Sequence, residues 1–287
     1  MELGRHADAV SDLALSVDHI RDASRPAILG ALCFSYHAVG YWGPNYQSAR
    51  LNLKDLLLNA NDEKGALIVS PFHLQPLNIP LAAEQHAARQ ASLKSSATAL
   101  DLKIDKRLIG RGDKIRLGYL SPDFMDHSMA RAIRDLIRRH DRSKFAVEGF
   151  ALNRVHDRTT LDFSKTFDKF HNVSALDNVT VARFIAQRKI DILIDLAGHT
   201  RGSRLEILAH QPAPVQIHAI GYGRPICAPF LPWRLTDSLS TPADTRYLYD
   251  ETLIDLPDNA LPSSPPLAVD ETVSRADQSH DGNLSGS

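Results

Sequence analysis

Three short stretches of this 287-residue chain set proton-carrying or hydrogen-bonding side chains among turn-forming neighbours: "SPDFMDHS" (121–128), "GHTRGS" (198–203) and "GYGRPICAP" (221–229). In the first, His127 stands where an apolar strand has ended and a helix is about to begin. The positive end of the helix dipole disfavours an imidazolium there, so the ring is expected to stay neutral. A neutral ring can accept a proton or orient a hydroxyl, and it can equally do no more than cap the helix. Position alone leaves both readings open. In the second stretch Gly198 and Gly202 allow a ligand to approach the backbone closely, and His199, Thr200, Arg201 and Ser203 offer groups for an anionic or hydroxyl-rich ligand. The spacing is not that of a P-loop, and a solvated loop carries the same residues. The third stretch crowds glycine, proline and Arg224, as a pocket-shaping loop does and as any tight connection does. Asp123, Asp126, His127 and His140 raise the question of a metal, but their spacing fits no standard zinc or calcium motif, so none is expected.

These stretches need a scaffold, and the chain has the pattern for one. From about Lys114 to Leu256 apolar strands alternate with amphipathic helices: "KIRLGYL", "SMARAIRDLIRRH", "KFAVEGFAL", "VTVARFIAQRK", "IDILIDLAG", "SRLEILAH" and "PVQIHAIGY". Strands apolar on both faces, separated by helices, predict an α/β domain, a Rossmann-like doubly wound parallel sheet over residues 112–261. In such sheets ligands gather beyond the carboxyl ends of the strands, and all three stretches fall there.

Residues 1–95 read as helical. Val10, Leu13, Val17 and Ile20 recur at helical spacing, as do Leu53, Leu56, Leu57 and Ala60. The break "YWGPNYQ" punctuates two helices, and "NIPLAAEQHAARQ" places proline in a first turn. Paired helices suit the end of a tetratricopeptide-like array, although no second copy recurs at a fixed period. Residues 262–287, rich in Ser, Asp and Pro, are expected to be disordered.

Bulk properties narrow the partners. With 33 basic and 34 acidic residues the formal charge is -1, which gives no general field for nucleic acid or an anionic membrane. The longest oily stretch, "AILGALCFSYHAVGYW", is interrupted by Ser35 and His37 and falls short of the ~18 apolar residues of a spanning helix. Cys33 and Cys227 form neither a CxxC pair nor a disulfide framework, which predicts a reducing, cytoplasmic setting.

The motifs "IRLGYLSPDFMDHSMARAI", "HDRSKFAVEGFAL", "IDILIDLAGHTRGSRLEILAHQPAPVQIHAIGY" and "YDETLIDLPD" resemble, in order and separation, those of the O-linked N-acetylglucosamine transferases, glycosyltransferase family 41. "PFHLQPLNIPLAAEQHAARQ" resembles the helical lead-in of that family, so the likeness runs from roughly residue 45 to 258. The resemblance implies the N-terminal lobe of a GT-B fold and inverting transfer of N-acetylglucosamine from UDP-N-acetylglucosamine to Ser or Thr of acceptor proteins or peptides, without metal or other cofactor. It implies that His127 is the active-site histidine and that Asp123, His199, Thr200, Arg201, Gly221 and Tyr222 border the substrate cleft. Two departures stand out. After "IGY" the family continues Pro-Gly-Thr-(Thr/Ser)-Gly, whereas this chain has Gly223, Arg224, Pro225, Ile226 and Cys227; Pro232 and Trp233 replace a common Asp-Tyr pair. A GT-B enzyme grips its nucleotide mainly through a second lobe, for which the residues after Leu261 have no room. The expectation is therefore a truncated transferase lobe, weak or inactive alone and needing a separate donor-binding lobe, with a non-catalytic protein-binding module as the alternative.

Overall fold

The computed structural model describes residues 2–20, 24–58, 69–102, 113–257 and 259–262. Ala60, and all but the first residue of the tail expected to be disordered, lie outside the described residues.

The helical lead-in contains α1 (Glu2–His19), α2 (Arg25–Ala38), α3 (Pro44–Leu58), the single turn α4 (Pro71–Leu74) with a 3-10 turn at Gln75–Leu77, and α5 (Leu81–Ser96). Helix α2 carries Pro26 in its first turn, where the backbone N–H has no partner anyway. Its buried Leu29, Leu32, Cys33 and Tyr36 form one stripe, and Tyr46, Ala49, Leu53 and Leu57 of α3 form another. Both stripes join one core with Leu74, Leu77, Ile79, Ala83 and Ala87. The small residues of α5 let it lie close to the α/β region as well. Gln85 Nε2 donates to the Leu248 carbonyl at 2.7 Å, Arg89 grips Asp250 at 2.8 and 2.6 Å, and Leu100 N donates to His210 Nδ1 at 2.7 Å.

The α/β region runs β1 (Ile115–Ser121), α6 (Ser128–Arg138), β2 (Phe145–Ala151), α7 (Arg158–Thr166), β3 (Lys169–Asn172), α8 (Asn178–Gln187), β4 (Ile192–Asp195), α9 (Leu205–Ala209), β5 (Val215–Ala219), β6 (Trp233–Thr236) and β7 (Thr252–Asp255). All seven strands are parallel, in the order β3-β2-β1-β4-β5-β6-β7, with separate apolar cores formed around Phe150 and Ile185 and around Phe124 and Ile133. This is the Rossmann-like order, and the chain reverses its winding between β1 and β4, opening a crevice at their carboxyl ends. Among the described residues no helix is long and apolar enough to cross a membrane.

One buried ionic group ties the β3 edge to the sheet. Glu148 of β2, 5% exposed, accepts from Arg188 at 2.8 and 2.7 Å and pairs with His171 Nε2 at 2.8 Å. Burial alone would raise this carboxyl, but the bonds from Arg188 and His171 outweigh it and hold it down to about 2. Its stabilisation is fully present above the ordinary carboxylate range and is lost as pH falls toward about 2. Glu148→Gln is expected to cost about 1.5–3 kcal/mol at neutral pH and to flatten the acid limb of stability. Urea midpoints measured from pH 5 to pH 2 check this; an unchanged limb contradicts it.

Candidate functional site

The site assembles where the loops after β1, β4 and β5 meet. The β1 loop is pinned by Phe124, fully buried among Phe163, Phe167 and Phe170. Its carbonyl accepts from Thr160 Oγ1 at 2.8 Å, and Asp123 N donates to Ser121 Oγ at 3.0 Å. Fixed in this way, the turn delivers His127 to the N-cap of α6, where Nδ1 accepts from Met129 N at 3.3 Å. The same Nδ1 lies 3.7 Å from Asp123 Oδ1. Burial raises the Asp123 carboxyl above its ordinary range, and His127 opposes that rise. The cap bond uses the lone pair of Nδ1, so the proton sits on Nε2. His127 is therefore observed in the cap role, which does not occupy its whole ring. It caps the helix with one nitrogen and, with its side chain 42% exposed, offers the other as a donor.

The β4 loop is held by Asp195, the last residue of its strand. Asp195 Oδ2 accepts from Gly198 N at 2.7 Å and pairs with His218 Nδ1 at 2.7 Å, while Oδ1 accepts from Ala197 N at 3.3 Å. His218, fully buried on β5, reaches the carbonyl of Tyr222 with Nε2 at 3.2 Å. One carboxylate thus shapes the β4 loop and, through His218, fixes the β5 loop. Contacts between loops finish the assembly. Gly202, at φ 82, lies where a Cβ would come within 3.0 Å of Pro122, and a Cβ on Gly198 would meet that of Tyr222 at 2.6 Å. A Cβ on Gly221 would fall on the Leu196 carbonyl oxygen. Ile220 adopts φ 71, an outlier for a β-branched residue, in the tight turn closed by Gly221 N on Ala219 O at 2.9 Å. Strain of this kind concentrates at functional sites.

Below the β5 loop, the buried Arg234 donates to the Tyr222 carbonyl at 2.6 Å and to that of Arg224 at 3.0 Å. Glu251 Oε1 accepts from Ile226 N at 2.6 Å. The divergent loop is thus fixed at both ends.

Not every residue of the three stretches faces the cleft. His199 turns inward, its Nε2 set against the Ile226 carbonyl at 3.0 Å and its ring edge-on to Tyr222 at 5.4 Å. Ser92 of α5 donates to the same carbonyl at 2.8 Å. Enclosure of the His199 ring pushes it down to about 4, partly offset by the Ile226 carbonyl and Asp195, so it is neutral at physiological pH. The hydroxyl of Thr200 donates back to Ala197 O at 2.9 Å, and Arg201 is exposed. His199 and Thr200 therefore set the loop's shape. The unfolded chain takes up the His199 proton near the usual ~6.5 whereas the folded chain waits until about 4. Stability is full above the higher value and declines as pH falls through that window. His199→Gln is expected to remove this slope, read from unfolding midpoints between pH 7 and pH 4; a retained slope contradicts the assignment.

The network behind the loops, comprising Asp195, His218, Arg234, Glu251 and Ser92, was not singled out by the motifs. A signal for part of it does exist. Asp195 and His218 are directly paired in register across β4 and β5, each an ionisable residue near the carboxyl end of its strand.

Comparison with known proteins gives concordant results. The model of the family described as "Glycosyl transferase family 41" matches residues 69–261. The chain is 36% identical over 155 residues to the probable UDP-N-acetylglucosamine--peptide N-acetylglucosaminyltransferase SPINDLY of Arabidopsis thaliana, covering 53% of this chain and 17% of that protein. It is 31% identical over 207 residues to the UDP-N-acetylglucosamine--peptide N-acetylglucosaminyltransferase of Caenorhabditis elegans, covering 66% of this chain and again 17% of the relative. A solved O-GlcNAc transferase mutant (K341M) of Thermobaculum terrenum superposes with a TM-score of 0.55 at 19% identity, over 92% of this chain and 60% of that one, a likeness of fold.

Proposed function

Since this chain belongs to glycosyl transferase family 41, we propose that it forms the acceptor-facing wall of a protein O-linked N-acetylglucosamine transferase. The acceptors are Ser or Thr hydroxyls of proteins or peptides, and the donor is UDP-N-acetylglucosamine. The observation that carries this reading is His127, held as an N-cap at the β1–β4 crevice with its second nitrogen left for a substrate. The acceptor oxygen attacks the anomeric carbon as the bond to the diphosphate breaks, and the hydroxyl proton passes to the departing diphosphate. The acceptor's approach is directed by Nε2–H of His127, while Gly221, backed by the buried Tyr222, bounds the cleft from the β5 side. If Nδ1–H turns to Asp123 instead, Nε2 becomes a proton acceptor. The shorter contact to Met129 favours the orienting role over the base role.

Groups that grip the diphosphate come, on this reading, from a second lobe outside these 287 residues, which span 17% of the relatives named above. Val155, Leu176 and Leu239, exposed just beyond the carboxyl ends of β2, β3 and β6, are apolar surface suited to such a lobe. Acting alone, the chain would be weak or inactive. Free, buried thiols at Cys33 and Cys227 agree with a cytoplasmic setting. The altered loop Gly223–Cys227 favours one second reading, a module that binds acceptor proteins without transfer.

Nitrogen-15 NMR of the histidine rings tests the orienting role. His127 is expected as the Nε2-protonated tautomer, and its Nε2 resonance should move when a serine peptide is added. A peptide that binds without moving it removes His127 from the acceptor site.

A further inference from the structure

The divergent part of the β5 loop does more than depart from a pattern. Gly223, Arg224 and Pro225 line a cavity of about 420 Å³ between this loop and the lead-in, and its wall contains none of Asp123, His127, His199 and Thr200. The volume lies in the range of small-molecule sites, about 300–1,000 Å³.

Its polar centre joins two chain regions. Glu84 of α5 is 5% exposed, and its Oε2 lies 3.3 Å from Arg224 Nε. Arg224, its side chain 40% exposed, pairs with that carboxyl from the cavity wall. Each group keeps hydrogen-bonding capacity beyond this one contact, and the cavity adjoins both. Around the pair stand Leu81, Leu248, Pro225 and the ring of Tyr249, whose hydroxyl is spent on the Gly223 carbonyl at 3.2 Å.

Charge decides the class of ligand. A cation would meet the like charge of Arg224, and an anion would meet the Glu84 carboxyl, which burial raises to about 7 against the pull of Arg224 and so leaves partly ionised near neutral pH. A neutral polyol carries no charge to oppose either group. Its hydroxyls donate to the carboxyl and accept from the guanidinium, while its C–H face lies on the apolar wall. We infer that this cavity binds a neutral, hydroxyl-rich ligand the size of a monosaccharide, at a site distinct from the cleft around His127. A free sugar and a sugar carried on a peptide side chain share this chemistry.

The test is ligand-observed NMR and calorimetry on the 287-residue chain. The probes are N-acetylglucosamine, glucose and a peptide bearing serine-linked N-acetylglucosamine, with acetate and methylammonium as charged controls. At least one sugar is expected to bind with a Kd on the order of 1 mM. Glu84→Ala and Arg224→Ala should each weaken it about tenfold or more, and His127→Ala should leave it unchanged. Tighter binding of the glycopeptide than of the free sugar identifies the attached form, and equal binding identifies the free one. Arg224 is partly exposed, so its variants keep the fold and decide the matter should Glu84→Ala not fold. Silence from every sugar, preference for a charged control, or sugar binding that survives Arg224→Ala overturns the proposal. Binding lost only in His127→Ala would assign the sugar to the cleft, contradicting this inference while leaving the proposed function standing.

Discussion

Asp195→Ala is expected to lower the free energy of unfolding by about 3–5 kcal/mol, the loss typical of breaking one side of a buried pair. The carboxylate is 2% exposed and satisfies three groups, the amides of Ala197 and Gly198 and the ring of fully buried His218. Its removal leaves them in an interior where water cannot reach them easily, and both the β4 and β5 loops lose an anchor. Equilibrium denaturation at constant m-value is the measurement. A double variant, Asp195→Leu with His218→Leu, should recover part of the loss because the buried imidazole is no longer left without its partner, while the amides of Ala197 and Gly198 stay unpaired. A loss below about 1 kcal/mol in Asp195→Ala would show that the pair is not the anchor.

Gly221→Ala should be comparably damaging for a steric reason. The added methyl would occupy the place of the Leu196 carbonyl oxygen, which is backbone and has no rotamer to escape into. Overpacking costs about 1–3 kcal/mol where side chains can yield, so this substitution belongs at or beyond the top of that range. It should also part the β4 and β5 loops, so that any ligand of the cleft binds more weakly at temperatures where the variant is still folded. Gly223→Ala, two residues on, meets no atom within 4 Å and serves as the control expected to be near neutral. Equal thermal midpoints for the two variants would refute the close approach.

The central parallel sheet could be read from the sequence because β1, β2, β4 and β5 are apolar runs separated by amphipathic helices, and burial on both faces dictates that composition. The outer strands could not be read in that way. β3 and β7 are four residues long and largely exposed, so "KFHN" and "TLID" lack the apolar density that betrays a buried strand. Helix α7 is short, and its capping box between Asp157 and Thr160 was its clearest local signal. At the site, loop positions followed from the sheet rule, but side-chain direction did not. His127 and His199 look alike in sequence, each in a loop after a strand. One is partly open because it caps a helix; the other turns inward because the Ile226 carbonyl, 27 residues away in sequence, takes its Nε2. Likewise, nothing local to Arg224 announces Glu84, which comes from a helix on the far side of the chain.

Service of His127 in sugar transfer is the expectation on which the proposed function rests. The decisive measurement supplies the 287-residue chain with a donor-binding lobe from a family relative, radiolabelled UDP-N-acetylglucosamine and a serine peptide, and follows label into the peptide. Transfer is expected only when chain and lobe are both present, and it should fall about 100-fold or more in His127→Ala. Transfer that is indifferent to His127, or none from a chain and lobe shown to associate, would contradict it.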